Sequence, residues 1–358
     1  MTPHRHPLRY LVFILVNSFI FIALSACTNA GSQSSHASVG TPKPTDGIKG
    51  NSLIPMTTSA SDILSNTTQP LLSEEASSPN FPVTVIPQAT ATTPPVYTPT
   101  AIPLDYWMSM PIIPPVSQTA MEIYQRGVSL GRDPHAFSKI GDCQSISTYF
   151  LAYFDNPDYY KLGDYASLQD TIDWYAGSFS RDSLAVKGGF NAAAILSPLR
   201  ADPKQCRAAE NPISCEIRLH NPSVAIISLE EWWAGHPENY EIYLRRIIEY
   251  TIQQGIVPII ATKADNLEGN NLINQTIASL ALEYDIPMWN FWLAVQPLTN
   301  HGLSAYDPFG AVDMFHLTHS GGYYFYDDPA ATQSGWSVRN LTALQVLDAV
   351  RRGLPEGP

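Results

Sequence analysis

Residues 119–358 predict an α/β domain built on a doubly wound parallel sheet, and two observations predict it. Short apolar runs rich in β-branched residues recur without polar alternation, as in strands buried on both faces. Between them lie longer stretches whose apolar residues recur at three- and four-residue steps, as in helices packed on a sheet. In order, "AFSKIG" (136–141) reads as a strand and "YASLQDTIDWYAGSF" (165–179) as a helix. "SVAIISL" (223–229) is a continuous apolar run, the mark of a buried parallel strand. "PENYEIYLRRIIEYTIQQG" (237–255) is an amphipathic helix that Pro237 opens and Gly255 stops. "IVPIIAT" (256–262) is a second buried strand, "NNLINQTIASLALEYD" (270–285) a helix and "IPMWNFW" (286–292) a strand. "VRNLTALQVLDAVRRG" (338–353) closes the chain as a helix, with Arg351 and Arg352 in its last turn, where cations suit the helix dipole.

The chain ahead of this domain is of a different kind. Arg5 and Arg9 precede fourteen mostly apolar residues, "LVFILVNSFIFIAL", too few for a comfortable membrane span. Small residues follow, so residues 1–26 read as a secretory signal peptide. Leu24-Ser25-Ala26-Cys27 also resembles the lipobox of bacterial lipoproteins. That resemblance implies cleavage before Cys27, lipid on its thiol, and a protein anchored to the outer face of the cell membrane. Residues 28–118 read as a tether: 34 of the 73 residues from Thr28 to Thr100 are Ser, Thr or Pro. Such a stretch buries too little apolar surface to offset its ordering entropy.

Charge and cysteine usage narrow the function. The domain carries 16 basic residues against 27 acidic ones, which argues against a nucleic-acid partner. Of four cysteines, Cys27 is spoken for by the lipobox. Cys206 and Cys215 stand nine residues apart in a loop-like stretch, and an exported protein would join them. Cys143 is left as the odd thiol, directly after the first strand in "KIGDCQS".

In doubly wound sheets, functional residues gather at the carboxyl ends of strands. Asp142 and Cys143 follow the first strand; Glu230, Glu231, Trp232 and Trp233 the second; Lys263, Asp265, Asn266 and Glu268 the third. Near the C-terminus stands "AVDMFHLTHSGG", with Asp313 and His316 separated by two residues in a loop-like setting. Together these parts resemble the SGNH or GDSL hydrolases along most of residues 133–352. The resemblance implies a flavodoxin-like, three-layer α/β/α fold and an acyl-ester hydrolase or acyl transferase. Gly141-Asp142-Cys143 matches the family's Gly-Asp-Ser block with Cys for Ser. "VKGGFNAA" (186–193) matches the second block, with Gly189 as the oxyanion-hole glycine and Gly188 a near equal. "SLEEWW" (228–233) stands where the family has Gly-x-Asn-Asp, and its glycine and asparagine are missing. Trp232 or Asn266 is left to supply that donor. Asp313 and His316 match the family's Asp-x-x-His.

The roles follow from the chemistry of the side chains. His316 is the base toward Cys143, and Asp313 holds the imidazole in its productive tautomer. A thiol beside imidazolium ionises readily and attacks acyl carbon well. Asp142 and Glu230 work against that ionisation.

Other uses of the same residues stay open. Cys143 can be a buried thiol that packs as a small hydrophobe, which would make the domain a catalytically inactive binding module for glycan or protein at the envelope. The strand-end carboxylates suit a hard cation, but no Asp-x-Asp-x-Asp-Gly loop accompanies them. Trp232, Trp233, Trp289, Trp292 and Phe291 suit either a sugar cleft or a core. No P-loop, dinucleotide fingerprint or zinc spacing is present, so no cofactor or metal is expected, and the expected partner is a small-molecule or glycan ester.

Overall fold

The computed structural model describes residues 103–229, 238–306, 312–319 and 324–355. The signal segment, Cys27 and most of the tether lie outside them, as do Glu230, Glu231, Trp232 and Trp233. No helix among the described residues is long and apolar enough to cross a membrane.

Four parallel strands form the sheet. Helix α1 (Gln118–Ser129) leads into β1 (Asp133–Gly141). Then come α2 (Gln169–Trp174), α3 (Pro212–His220) and β2 (Pro222–Ser228). Helix α4 (Glu238–Gln253), β3 (Val257–Ala261), α5 (Leu272–Tyr284) and β4 (Met288–Trp289) follow. Helices α6 (Phe291–Val295) and α7 (Gly335–Gly353) complete the order. β2 and β3 are buried along their whole length, as their unbroken apolar runs require.

The hydrogen-bonded order is β1-β2-β3-β4, all parallel. On the other side of β1, Gly141 makes a single parallel bridge to Val186. Counting that bridge as a vestigial strand, the spatial order reads 2-1-3-4-5 in chain order, the flavodoxin-like arrangement. The rest of β1's open edge is closed by side chains in place of a strand. Ser178 Oγ accepts from Phe137 N–H, Arg181 donates to the Phe137 carbonyl, and Ser183 Oγ donates to the Lys139 carbonyl at 2.6 Å.

Helices cover both faces. Adjacent strand residues point to opposite sides. Ser138 Oγ donates to Glu216 Oε1 of α3 at 2.6 Å, while Lys139 Nζ donates to Ser147 Oγ and the Phe179 carbonyl on the other face. Asn340 of α7 packs on that second face, accepting from Leu151 N–H at 2.7 Å.

Several expectations need correction. The strand expected over 286–292 lasts only two residues, because Asn290 turns the chain. Its Oδ1 caps α6, and its Nδ2 donates to the carbonyls of Trp107 and Met110. The helix expected over 165–179 is a 3-10 stretch (Gly163–Leu168) followed by α2, and Gly177, at φ +85°, lies beyond its end. Residues 103–117, assigned above to the tether, belong with the domain. Trp107 is 2% exposed and meets Trp292 edge-on at 4.9 Å. Asn290 N–H donates to the Ile112 carbonyl. An aromatic anchor met by a buried amide orders a segment whose composition alone would leave it loose.

Candidate active site

The site is built at the point where strand order reverses, the carboxyl end of β1. Gly141 has no room for a side chain: a Cβ there would lie 2.1 Å from Ser145 Oγ and 2.5 Å from the Ser228 carbonyl. Its absence lets the chain fold back into a 3-10 turn, Cys143–Ser145. The buried Asp142 carboxylate caps that turn by accepting from Gln144 N–H at 2.9 Å. Ser145 Oγ donates to the Ser228 carbonyl at 3.3 Å, tying the turn to the end of β2. Cys143, 7% exposed, sits at the head of this turn.

The oxyanion-hole candidate comes from the vestigial strand. Gly141 N–H donates to the Ala185 carbonyl at 3.0 Å, and Lys187 N–H donates back to the Gly141 carbonyl at 3.4 Å. A turn closes from Lys187 to Phe190, with Gly189 at φ +77° in its third position, where a left-handed backbone favours glycine. The bridge thus holds Gly189 two residues from a pairing partner of Gly141.

Asp313 and His316 form a locally complete unit. Asp313 Oδ1 accepts from the backbone N–H groups of Phe315 and His316, at 2.9 and 3.1 Å. Its Oδ2 meets His316 Nδ1 at 2.7 Å. Burial pushes the Asp313 carboxyl up, but the hydrogen bonds from His316 and the two backbone N–H groups outweigh it and hold its pKa below the usual range. The loop is braced from both sides. Ser304 N–H donates to the His316 carbonyl at 2.8 Å, and Asp313 N–H to the Ala305 carbonyl at 3.0 Å.

A side-chain hydrogen bond joins the two halves. Gln144 Nε2 donates to the Phe315 carbonyl at 3.0 Å, so the residue after Cys143 is tied to the residue before His316. His319 sits alongside, its ring against Tyr149 and Trp336. The residue is exposed, yet desolvation of its ring, and then the charge of His316, lower its pKa.

The other expected residues sort as follows. Asn266 is exposed and its Oδ1 accepts from Asn271 N–H at 2.7 Å, closing its own loop. Trp232 lies outside the described residues. Trp289 and Phe291 are fully buried, so within the aromatic set they serve the core. Asp265 and Glu268 already hold a cation: Lys263 Nζ lies 2.8 Å from a carboxylate oxygen of each. Burial pulls the Lys263 ammonium down, but those two carboxylates outweigh it and raise its pKa. Cys206 and Cys215 are joined in a disulfide at the start of α3. Two clefts, of about 400 and 450 Å³, contain none of these residues.

Gln144 and Arg339 went unnoticed in the sequence. Arg339 is fully buried in α7. A signal was present: it shares a stripe with Ala343, Val346 and Val350, at helical spacing in an otherwise apolar row.

No family model matches the chain. No curated protein matches it either. A solved structure assigned to the G-D-S-L family of lipolytic proteins, from Desulfitobacterium hafniense DCB-2, superposes over 59% of this chain and 99% of its own, with a TM-score of 0.33 and 14% identity. At that score the superposition carries no argument, and the fold stands on the strand order and register described above.

Proposed function

We propose that the domain is an acyl-ester hydrolase or acyl transferase in which Cys143 is the nucleophile, His316 the base and Asp313 the orienting acid. The observation that carries this reading is the 2.7 Å contact of Asp313 Oδ2 with His316 Nδ1, on a turn that Gln144 ties to the Cys143 turn. With Nδ1–H donated to the carboxylate, Nε2 is the atom that accepts a proton. The thiol proton passes to Nε2 and the sulfur adds to the acyl carbon. The tetrahedral intermediate then expels the alcohol, which takes the proton from His316. Water, or a second alcohol in a transferase, gives its proton to His316 and breaks the thioester, restoring the thiol. The N–H groups of Cys143 and Gly189 are the donors for the oxyanion, with the Trp232 indole as a third. The substrate class is an acylated glycan, lipid or small ester. Anchoring through lipid on Cys27 at the outer face of the membrane belongs to the same proposal.

Turnover of p-nitrophenyl acetate tests it. Cys143→Ala should fall to background, and Asp313→Asn by about 10³–10⁴, as when an orienting carboxylate is lost from a triad. Undiminished turnover in folded Cys143→Ala would reject the reading.

A second reading has its own observations. Cys143 is 7% exposed, and the Asn266 side chain is engaged in its own loop. Both suit a silent module that binds glycan or protein. Such a module would bind saccharide equally well with Cys143→Ala and would turn over no ester.

A further inference from the structure

We propose that Arg339 is a positioning residue for the turn that carries Cys143; the inference rests on the reading of Cys143 as the nucleophile. Arg339 Nη2–H donates to Ser228 Oγ at 2.7 Å, and its Nε–H to the Gln144 carbonyl at 3.3 Å. Its guanidinium carbon lies 4.8, 5.3 and 5.0 Å from the ring centres of Phe150, Trp289 and Phe291. One planar group on α7 thus links the end of β2 to the residue after Cys143.

Packing alone does not call for a cation here. The neighbouring stripe residues Ala343, Val346 and Val350 are apolar, and a buried guanidinium carries a desolvation cost that an aliphatic side chain avoids. What the guanidinium adds is a rigid fork that meets two acceptors on separate elements at fixed angles. Its aromatic surroundings favour the cation and hold its plane. The turn is then secured three ways. Asp142 caps its start, Ser145 ties its end to the Ser228 carbonyl, and Arg339 ties its middle carbonyl to the Ser228 hydroxyl.

The charge has a second consequence. Asp142 directly precedes Cys143, Gln144 ties the Cys143 turn to the residue before His316, and the Arg339 guanidinium is bonded to the carbonyl of the residue after Cys143. Asp142 disfavours a thiolate at Cys143, and a cation bonded to the next residue opposes it.

The test is the pH dependence of Cys143 alkylation, with kcat and KM for p-nitrophenyl acetate, in the full chain with Arg339→Met or Arg339→Lys. In Arg339→Met the alkylation midpoint should rise by about one pH unit. Its kcat should fall about tenfold or more, with KM little changed. Arg339→Lys keeps the charge, so its midpoint should stay near wild type while kcat falls for want of the fork. Folded Arg339→Met with wild-type midpoint and kcat would overturn the proposal. Should Arg339→Met fail to fold, a wild-type kcat in Arg339→Lys would overturn it instead. A wild-type thiol that titrates normally and turns over no ester overturns the reading of Cys143, and the inference with it.

Discussion

Lys139 shows what a single buried charge does in this fold. Its Nζ donates to Ser147 Oγ at 2.7 Å and to the Phe179 carbonyl at 2.8 Å. Burial, and then the neighbouring Arg181, lower its pKa to about 7, against the pull of Asp182, Glu216 and Asp155. The folded protein therefore sheds a proton near pH 7 that the unfolded chain keeps until about pH 10.4. The unfolded state binds more protons across that window, so stability should rise with pH from about 7 to 10. Lys139→Met should be more stable than wild type at pH 6.5 and flatten that rise, as read from urea unfolding at several pH values. A steeper rise in the variant would contradict the assignment. The same scale separates what the sequence disclosed from what it hid. Asp313 and His316 are three residues apart and complete one another locally, so their spacing was readable. Gln144 meets Phe315 across 171 residues, and Arg339 meets Gln144 across 195. No local pattern carries such a contact.

Among the elements, the turn after β1 is the most tightly specified. A Cβ on Gly141 would meet a backbone oxygen, the Ser228 carbonyl, as well as Ser145 Oγ. The backbone atom cannot move aside, so Gly141→Ala should cost about 1–3 kcal/mol, seen as a lower urea midpoint with an unchanged slope. Adding Ser145→Ala should not restore it. The central strands were legible because burial on both faces leaves an unbroken apolar run. β4 was misjudged because "MWNFW" is equally apolar on either side of Asn290, and apolar content does not mark where a strand becomes a helix. The strand on the far side of β1 was not predicted at all. It survives as one bridge at Val186, and Ser178, Arg181 and Ser183 satisfy the remaining edge. Side chains that stand in for a strand leave no strand-like period behind.

For the molecule as a whole, the boundary of the domain lies upstream of residue 119. Trp107 fills a place in the core beside Trp292, and Val116 packs against Gly353 at the end of α7. A chain beginning at residue 119 should be less stable than one beginning at 103 by about 3 kcal/mol or more, the usual cost of losing a buried tryptophan. Equal unfolding midpoints would show that the segment only rests on the surface. Composition misled here because one aromatic residue in a Pro-rich stretch weighs little in an average, yet Trp107 is buried in the core. The acidic balance and the paired cysteines, by contrast, were readable at this scale without any contact information.

If Cys143 and His316 act together, the rate of Cys143 alkylation against pH reads their coupling. It is followed by peptide mass in the whole chain, with and without His316→Ala. The wild-type midpoint should lie well below the free-thiol value of about 8.5 and move up when His316 is removed. A thiol that reacts slowly, titrates at or above that value and ignores His316 would contradict that coupling.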